Sequence, residues 1–257
     1  MKKTTSLITL LLLSLFLITN CSKSDISDDD ISENSRLRIT KMAESKSMKD
    51  ATLFEYNSDN LLVNVSWEYA GYSHDVVVKY NTDKQPVEVT ETIDNHRYTP
   101  EISLTKIRWT NDGFSLVGEE SNEEKIFVLD TQGRIAKKID SFTSYYPPYE
   151  TSTYEDIFQW NGDESLKVDE YRFTFNKYDH PFSGINIAVI LAAEIEIGEW
   201  ENEWQNKYCI SEYKENYLSA KINYTVNEQN YPTMMNIQYD SDEGSYHEFR
   251  YFEYESY

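Results

Sequence analysis

Apolar and polar positions alternate over most of the chain, and one pattern recurs from residue 54 to 240. An apolar residue is followed two places later by an aromatic one, then by a turn former. The copies are Phe54-x-Tyr56-Asn57, Val78-x-Tyr80-Asn81, Ile107-x-Trp109-Thr110, Phe127-x-Leu129-Asp130, Phe158-x-Trp160-Asn161, Phe173-x-Phe175-Asn176, Ile222-x-Tyr224-Thr225 and Ile237-x-Tyr239-Asp240. Leu129 alone breaks the aromatic column. Residues two apart in a strand share a face, so each copy places two large apolar groups on one side. Asn and Asp tolerate left-handed backbone and bond their own turn. Return strands follow at 62–65, 87–89, 135–139 and 166–168, so each unit predicts a hairpin. Copies 15 residues apart share a strand, and 166–175 (LKVDEYRFTF) reads as one such strand without a break. The fold class expected is mostly β: an antiparallel meander of repeated hairpins in a twisted or curled sheet. The last strand, 248–254, carries aromatics on both sides, so the sheet must curl or meet a second layer.

Two segments interrupt the pattern. Residues 187–197 (IAVILAAEIEI) begin with helix formers and end in strand-like alternation. We read one inserted helix near 186–204, covering one face of the sheet. Tyr145-Tyr146-Pro-Pro-Tyr149 is too proline-rich for a central strand and reads as an extended loop.

The N-terminus carries a different signal. Lys2 and Lys3 precede an apolar run at 7–18 (LITLLLLSLFLI). As a helix it would measure about 18 Å, too short for a hydrocarbon core of about 30 Å. A basic start and a short apolar run describe a signal peptide, here residues 1–20. The run ends at Leu17-Ile-Thr-Asn20-Cys21, which resembles the bacterial lipobox, although Asn20 stands where a small residue is usual. That resemblance implies cleavage before Cys21 and lipidation of its thiol. Each buried acyl CH₂ is worth roughly 0.8 kcal/mol, so two or three chains anchor a domain stably.

Residues 21–35 then read as the lipidated cysteine and a flexible acidic linker, with Asp25, Asp28, Asp29, Asp30 and Glu33 and few apolar groups. Fourteen such residues span roughly 20 Å as a coil. The acid run resembles the export signal that sends some Bacteroidota lipoproteins to the cell surface. A solvated spacer on a periplasmic-facing lipoprotein is the other reading. The remaining domain, 36–257, is long enough for one β domain or two small ones.

Charge narrows the partners. The sequence has 24 Lys and Arg against 45 Asp and Glu, a net −21. Losing Lys2 and Lys3 with the signal leaves −23. Such a chain repels phosphate backbones, which argues against nucleic acid. Besides Cys21 there is only Cys209, so no intrachain disulfide is expected in the domain, and Cys209 reads as a small buried hydrophobe.

The segment Phe127-Val-Leu-Asp130-Thr-Gln-Gly133-Arg134-Ile135 resembles the YD repeat of RHS-type proteins. Phe175-Asn-Lys-Tyr-Asp179-His-Pro181-Phe182-Ser-Gly184-Ile185 and Glu228-Gln-Asn230-Tyr231-Pro232-Thr-Met-Met-Asn-Ile237 resemble a group of uncharacterised Bacteroidota lipoproteins. The resemblance covers most of the chain. It implies a β-rich extracytoplasmic domain and supplies no activity and no catalytic residue.

No catalytic constellation is legible. There is no Gly-x-Ser-x-Gly elbow, and His74, His96, His180 and His247 lack zinc-type spacing. No metal or cofactor is called for. Among 45 acids, no pair stands out as a glycosidase dyad. The 21 Tyr, 11 Phe and 5 Trp are the richer clue, since flat rings with polar edges suit sugars and protein interfaces. Trp200 and Trp204, four apart among acids, and Tyr145, Tyr146 and Tyr149 in the proline loop fall outside the strand pattern. They are the candidate ligand surface, against the alternative that they anchor the insert to the sheet. Three functions follow in order: a non-catalytic module binding glycan or peptide on a lipid-anchored outer-membrane protein; a structural lipoprotein of an envelope complex; and a hydrolase with an acid pair.

Overall fold

A computed structural model describes residues 36–119, 123–144, 147, 150–195, 207–241 and 244–257. Cys21, Tyr145, Tyr146, Tyr149, Trp200 and Trp204 lie outside the described residues. The chain runs β1 (Leu37–Ala43), β2 (Thr52–Tyr56), β3 (Leu62–Tyr69), β4 (Tyr72–Tyr80) and β5 (Pro86–Asp94). Next come β6 (Glu101–Trp109), β7 (Gly113–Gly118), β8 (Glu123–Leu129), β9 (Ile135–Thr143), β10 (Thr151–Ile157) and β11 (Gln159–Asn161). After β12 (Ser165–Val168) and β13 (Tyr171–Asp179) comes helix α1 (Ile187–Ala192). The last strands are β14 (Tyr208–Lys214), β15 (Leu218–Val226), β16 (Pro232–Ser241) and β17 (Gly244–Ser256).

The antiparallel meander is as expected, and its curl goes nearly to closure. Almost every strand pairs antiparallel with the next. β10 and β11 are halves of one strand, interrupted at Phe158, whose N–H still bonds Ala136 O at 3.0 Å. β17 then returns to β1, with Ile39 opposite Tyr254 and Met42 opposite Phe252. The thinnest seam is β1–β2, where Lys41↔Leu53 and Met42↔Thr52 are the paired residues. Arg38 bridges that seam: it bonds Glu255 from Nε and Asn60 Oδ1 from Nη1, both at 2.7 Å, and lies over the Tyr56 ring. Ring and core are complete within Leu37–Tyr257, which forms one compact unit.

Alternation assigns one face of each strand to the interior. Val65, Val76, Val89, Ile107, Phe127, Phe173, Ile237 and Tyr239 are among its buried side chains. They join a single apolar cluster, so the interior is packed. Opposite residues carry charge on the outer wall, with ion pairs Lys79–Glu88, Lys106–Glu119, Lys137–Glu155 and Lys41–Glu253. Cys209 is buried as expected, its thiol donating to Asp179 O at 3.4 Å.

Four turns at one end of the barrel are built alike. Asn57, Asn81, Asp130 and Asn227 each accept, on one side-chain oxygen, the N–H groups two and four residues on, at 2.8–3.0 Å. The residue three on is left-handed: Asn60, Lys84, Gly133 and Asn230 have φ of 61°, 62°, 79° and 70°. A register shift sits at each turn's entry. The next hairpin's aromatic then reaches the carbonyl just past the turn. Tyr80 donates to Leu62 O, Trp109 to Pro86 O, Trp160 to Ile135 O and Tyr254 to Pro232 O, at 2.7–2.8 Å. In the YD-like copy, Arg134 adds two bonds to Asp130 Oδ2 and one to Gly162 O of the neighbouring turn. Leu129, the exception, follows a tighter turn closed by Thr110 N to Gly113 O. There a side chain at Gly113 would run into the Phe127 carbonyl.

The later copies differ from the sequence pattern. Strands continue through Asn176 and Thr225, because no left-handed residue stands three places after them, and β16 also runs through Asp240 to Ser241. The 166–175 segment is broken at Asp169–Glu170, where Asp169 has φ 49° and a hairpin joins β12 to β13. The inserted helix is present but covers six residues, capped by Asn186 Oδ1 accepting from Ala188 N. Left-handed Glu194 (φ 48°) stops it. It does not cover a sheet face. It packs against β5, β6 and β7 with Ala188, Val189 and Ile190 buried, and Phe182 ahead of it meets the Phe54 ring at 5.6 Å. The segment from His180 to Ile195 therefore plugs the end of the barrel that carries the alike turns. An apolar run enclosed on several sides has no reason to be amphipathic.

Candidate ligand-binding mouth

The opposite end has no such plug among the described residues. Strand register carries the interior face outward past the core, and there the side chains meet solvent. Tyr69 and Tyr72 continue the face of Val65 and Val76, yet Tyr69 is 67% exposed. Tyr154 continues the face of Lys138 across β9–β10 and is 69% exposed. Phe142, Ile93 and Tyr246 are also exposed on this face, and Tyr98 and Tyr217 stand on the connecting loops. Such concentrated exposure of large rings departs from scattered surface apolarity.

Three polar groupings line the mouth. On β3–β6, the Trp67 ring lies edge-on to His74 with centroids 3.7 Å apart. His74 Nε2 is 2.5 Å from Glu91 Oε1, and Ser103 donates to Glu91 Oε2 at 2.8 Å. The carboxylate is central here, and no imidazole sits on the serine. A nucleophilic triad needs the histidine between serine and acid, so this array does not activate Ser103. On β9–β10, nearly buried Lys138 lies 3.3 Å from Asp140 Oδ2 and 3.9 Å from Asp156 Oδ2. One ammonium shared by two carboxylates reads as charge balance, since a hydrolytic pair must face a substrate across a gap.

The third grouping frames a cavity of about 560 Å³ beside the seam, lined by Thr52, Trp67, Tyr69, Arg250, Lys49 and Met42, among others. That volume falls within the range of small-molecule sites, roughly 300–1,000 Å³. Arg250 sits opposite Met235 on the interior face. A second cavity, about 480 Å³, lies at the plugged end among Arg134, Asp163, His180, Phe182 and Lys207. Its cations are engaged: Arg134 with Asp130 and Asp163, Lys207 with Asp163 at 2.8 Å. Burial drives the His180 pKa down to about 4, and its Nδ1 accepts from Phe182 N at 3.2 Å. His180 is thus neutral, with its proton on Nε2.

The described residues that flank the sequence candidates lie at opposite ends of the barrel. Ser144 and Glu150, joined by a 3.0 Å backbone bond, lie at the mouth and are the described neighbours of Tyr145, Tyr146 and Tyr149 in sequence. Ile195 and Lys207, which bracket Trp200 and Trp204, belong to the plugged end. Trp67, Tyr69, Tyr154 and Arg250 escape a sequence reading, because rim and core residues share one alternation. Distance from the Asn or Asp turn was the available signal: Tyr69 lies twelve residues beyond Asn57.

No family model and no curated protein matches the chain. Among solved structures, the chain is similar to a porin-like protein from Bacteroides vulgatus and one from Bacteroides uniformis. Both are 10% identical and are covered over 86% of this chain; the TM-scores are 0.43 and 0.40, with 99% and 96% of those chains covered. Neither likeness assigns a role.

Proposed function

We propose that this chain is an outer-membrane lipoprotein, lipid-anchored through Cys21, whose barrel binds a glycan or peptide at its mouth without catalysis. The observation that carries the reading is the set of exposed rings, Tyr69, Tyr72 and Tyr154, on the interior face at the end away from the plug. The His74–Glu91–Ser103 and Lys138–Asp140–Asp156 groupings support a non-catalytic role. Glycan and peptide arrays probed with Arg36–Tyr257 test it. Binding that is lost in Tyr69→Ala and Tyr154→Ala, with unchanged melting, is expected. Silence on both arrays would sink the proposal.

A second reading, a scaffold in an envelope complex, draws on Val77, Ile102 and Ile157, exposed on the outer wall. Partners that co-purify with the wild type and are lost in Ile102→Ser would favour it.

A further inference from the structure

Arg38, Arg134 and Arg250 are not equivalent. Arg38 and Arg134 are spent on the fold: their guanidinium groups bond Glu255 and Asn60, and Asp130 and Gly162, respectively. Arg250 is different. Its hydrogen bond among the described residues runs from Nη1 to the carbonyl of its own neighbour, Phe249, at 3.0 Å. Nη2 lies 3.5 Å from both Glu44 Oε1 and Glu248 Oε2, too far for good hydrogen bonds. A guanidinium carries five donors in a planar fork matched to a carboxylate. Among the described residues the fork makes that one main-chain hydrogen bond and two long carboxylate contacts, and it lines the mouth cavity together with Trp67, Tyr69 and Thr52. Its side chain is 17% exposed, so it is shielded by the wall while still reachable.

The flanking rings add a second requirement. Trp67 and Tyr69 alternate on β3 as neighbours on one face, and both line the cavity beside Arg250. Aromatic faces take up the apolar side of a flat ring and leave its polar edge to hydrogen bonds. Thr52 and Ser45 supply hydroxyls on the β1–β2 side. Glu44 and Glu248 both oppose an anion: Glu44 is 83% exposed at the end of β1 and can swing away, whereas Glu248, 23% exposed, stays beside Arg250 and shares its charge with a bound carboxylate. The exposed Arg250–Glu44 pair is weak and readily exchanged.

We infer that the mouth cavity takes a saccharide bearing a carboxylate, a hexuronate unit. Its ring rests on Trp67 and Tyr69, and its carboxylate replaces Glu44 on the Arg250 fork. The inference rests on the binding reading above and names the class of ligand. The chain's net negative charge opposes approach, so affinity is best read near 0.15 M salt, where exposed charges beyond about 8 Å are screened.

Calorimetric titration of Arg36–Tyr257 with a hexuronate oligomer, its methyl ester and the neutral hexose oligomer tests this. The acid is expected to bind at least roughly tenfold tighter than the ester, the scale of a charge-assisted pair. Arg250→Gln should erase that preference, and Arg250→Lys should restore part of it, since an ammonium keeps the charge and loses the fork. Glu44→Gln, which removes no packing, should tighten acid binding severalfold and leave ester binding unchanged. Equal binding of acid and ester by the wild type overturns the carboxylate assignment and leaves the binding function standing. Absence of binding by all three overturns the saccharide. A peptide with a free C-terminal carboxylate that binds through Arg250 in the sugar's place would also overturn it.

Discussion

Asn81 holds its turn through a single oxygen atom, which takes the N–H groups of Asp83 and Gln85. The carbonyl one residue past that turn, on Pro86, is then filled by the Trp109 indole. The same arrangement recurs at Leu62, Ile135 and Pro232, so the aromatic column has a polar duty besides packing. Such bonds contribute about 1 kcal/mol each when the acceptor would otherwise be partly shielded from water. Tyr80→Phe keeps the ring and deletes the donor, so it should lower unfolding free energy by about 1 kcal/mol, and Trp109→Phe, which also leaves the space of the indole's second ring empty, should cost more. Asn81→Ala removes the acceptor for two N–H groups and should cost about 1–2 kcal/mol. Urea denaturation measures all three. Neutral ring variants would mean that water serves those carbonyls equally well. Much of this unit was legible, because apolar, aromatic and Asn or Asp stand at fixed offsets. The Phe252-x-Tyr254 copy escaped because Glu255, and no Asn, Asp or Thr, follows it.

At the scale of elements, the plug departs most from a reading of alternation. Its sequence mixes helix formers with β-branched residues, and its burial comes from the surrounding ring, which no local pattern announces. His180 and Phe182 show the consequence. His180 precedes Pro181, which suits a turn, yet both are buried beneath the turn-bearing end. The mouth was illegible for a related reason: Tyr69 and Val65 obey one period, and where the core ends is a property of the whole ring. The plug has a pH dependence whose sign follows from burial. The folded His180 pKa lies near 4 against 6.5 for an ordinary histidine. Between those values the unfolded chain binds a proton that the folded chain refuses, so stability is full above pH 6.5 and lost as pH falls toward 4. From pH 7 to 5 the loss should be about 2 kcal/mol. His180→Asn keeps an acceptor for Phe182 N–H and removes the titration. Its stability should therefore change less over the same interval. Parallel slopes for the two proteins in urea titrations at pH 5 and 7 would show that another group is responsible.

For the whole molecule, the decisive contrast is between its two walls. The interior is a continuous apolar core, and the exterior carries Lys79, Lys106, Lys167, Arg172, Lys214 and Lys221 on strands spread around the ring. A lipid-facing lysine or arginine near the bilayer midplane costs roughly 2–4 kcal/mol, so several around one circumference would prevent insertion. A barrel that crosses a membrane reverses this arrangement, with an apolar band outside and polar groups within. The wall of this barrel is therefore built for water, and any membrane attachment must come from elsewhere in the chain. This makes the tether testable apart from the binding proposals. Arg36–Tyr257 should remain dispersed without detergent and should float with neither neutral nor anionic vesicles, the latter also repelled by its excess of acids. If the proposed lipid on Cys21 is the anchor, the full chain expressed in a bacterial host should fractionate with membranes, and Cys21→Ser should release it or block its processing. Vesicle insertion by Arg36–Tyr257 alone would overturn the water-facing reading of the outer wall. Membrane retention of the Cys21→Ser protein after signal cleavage would instead remove the lipid as the anchor.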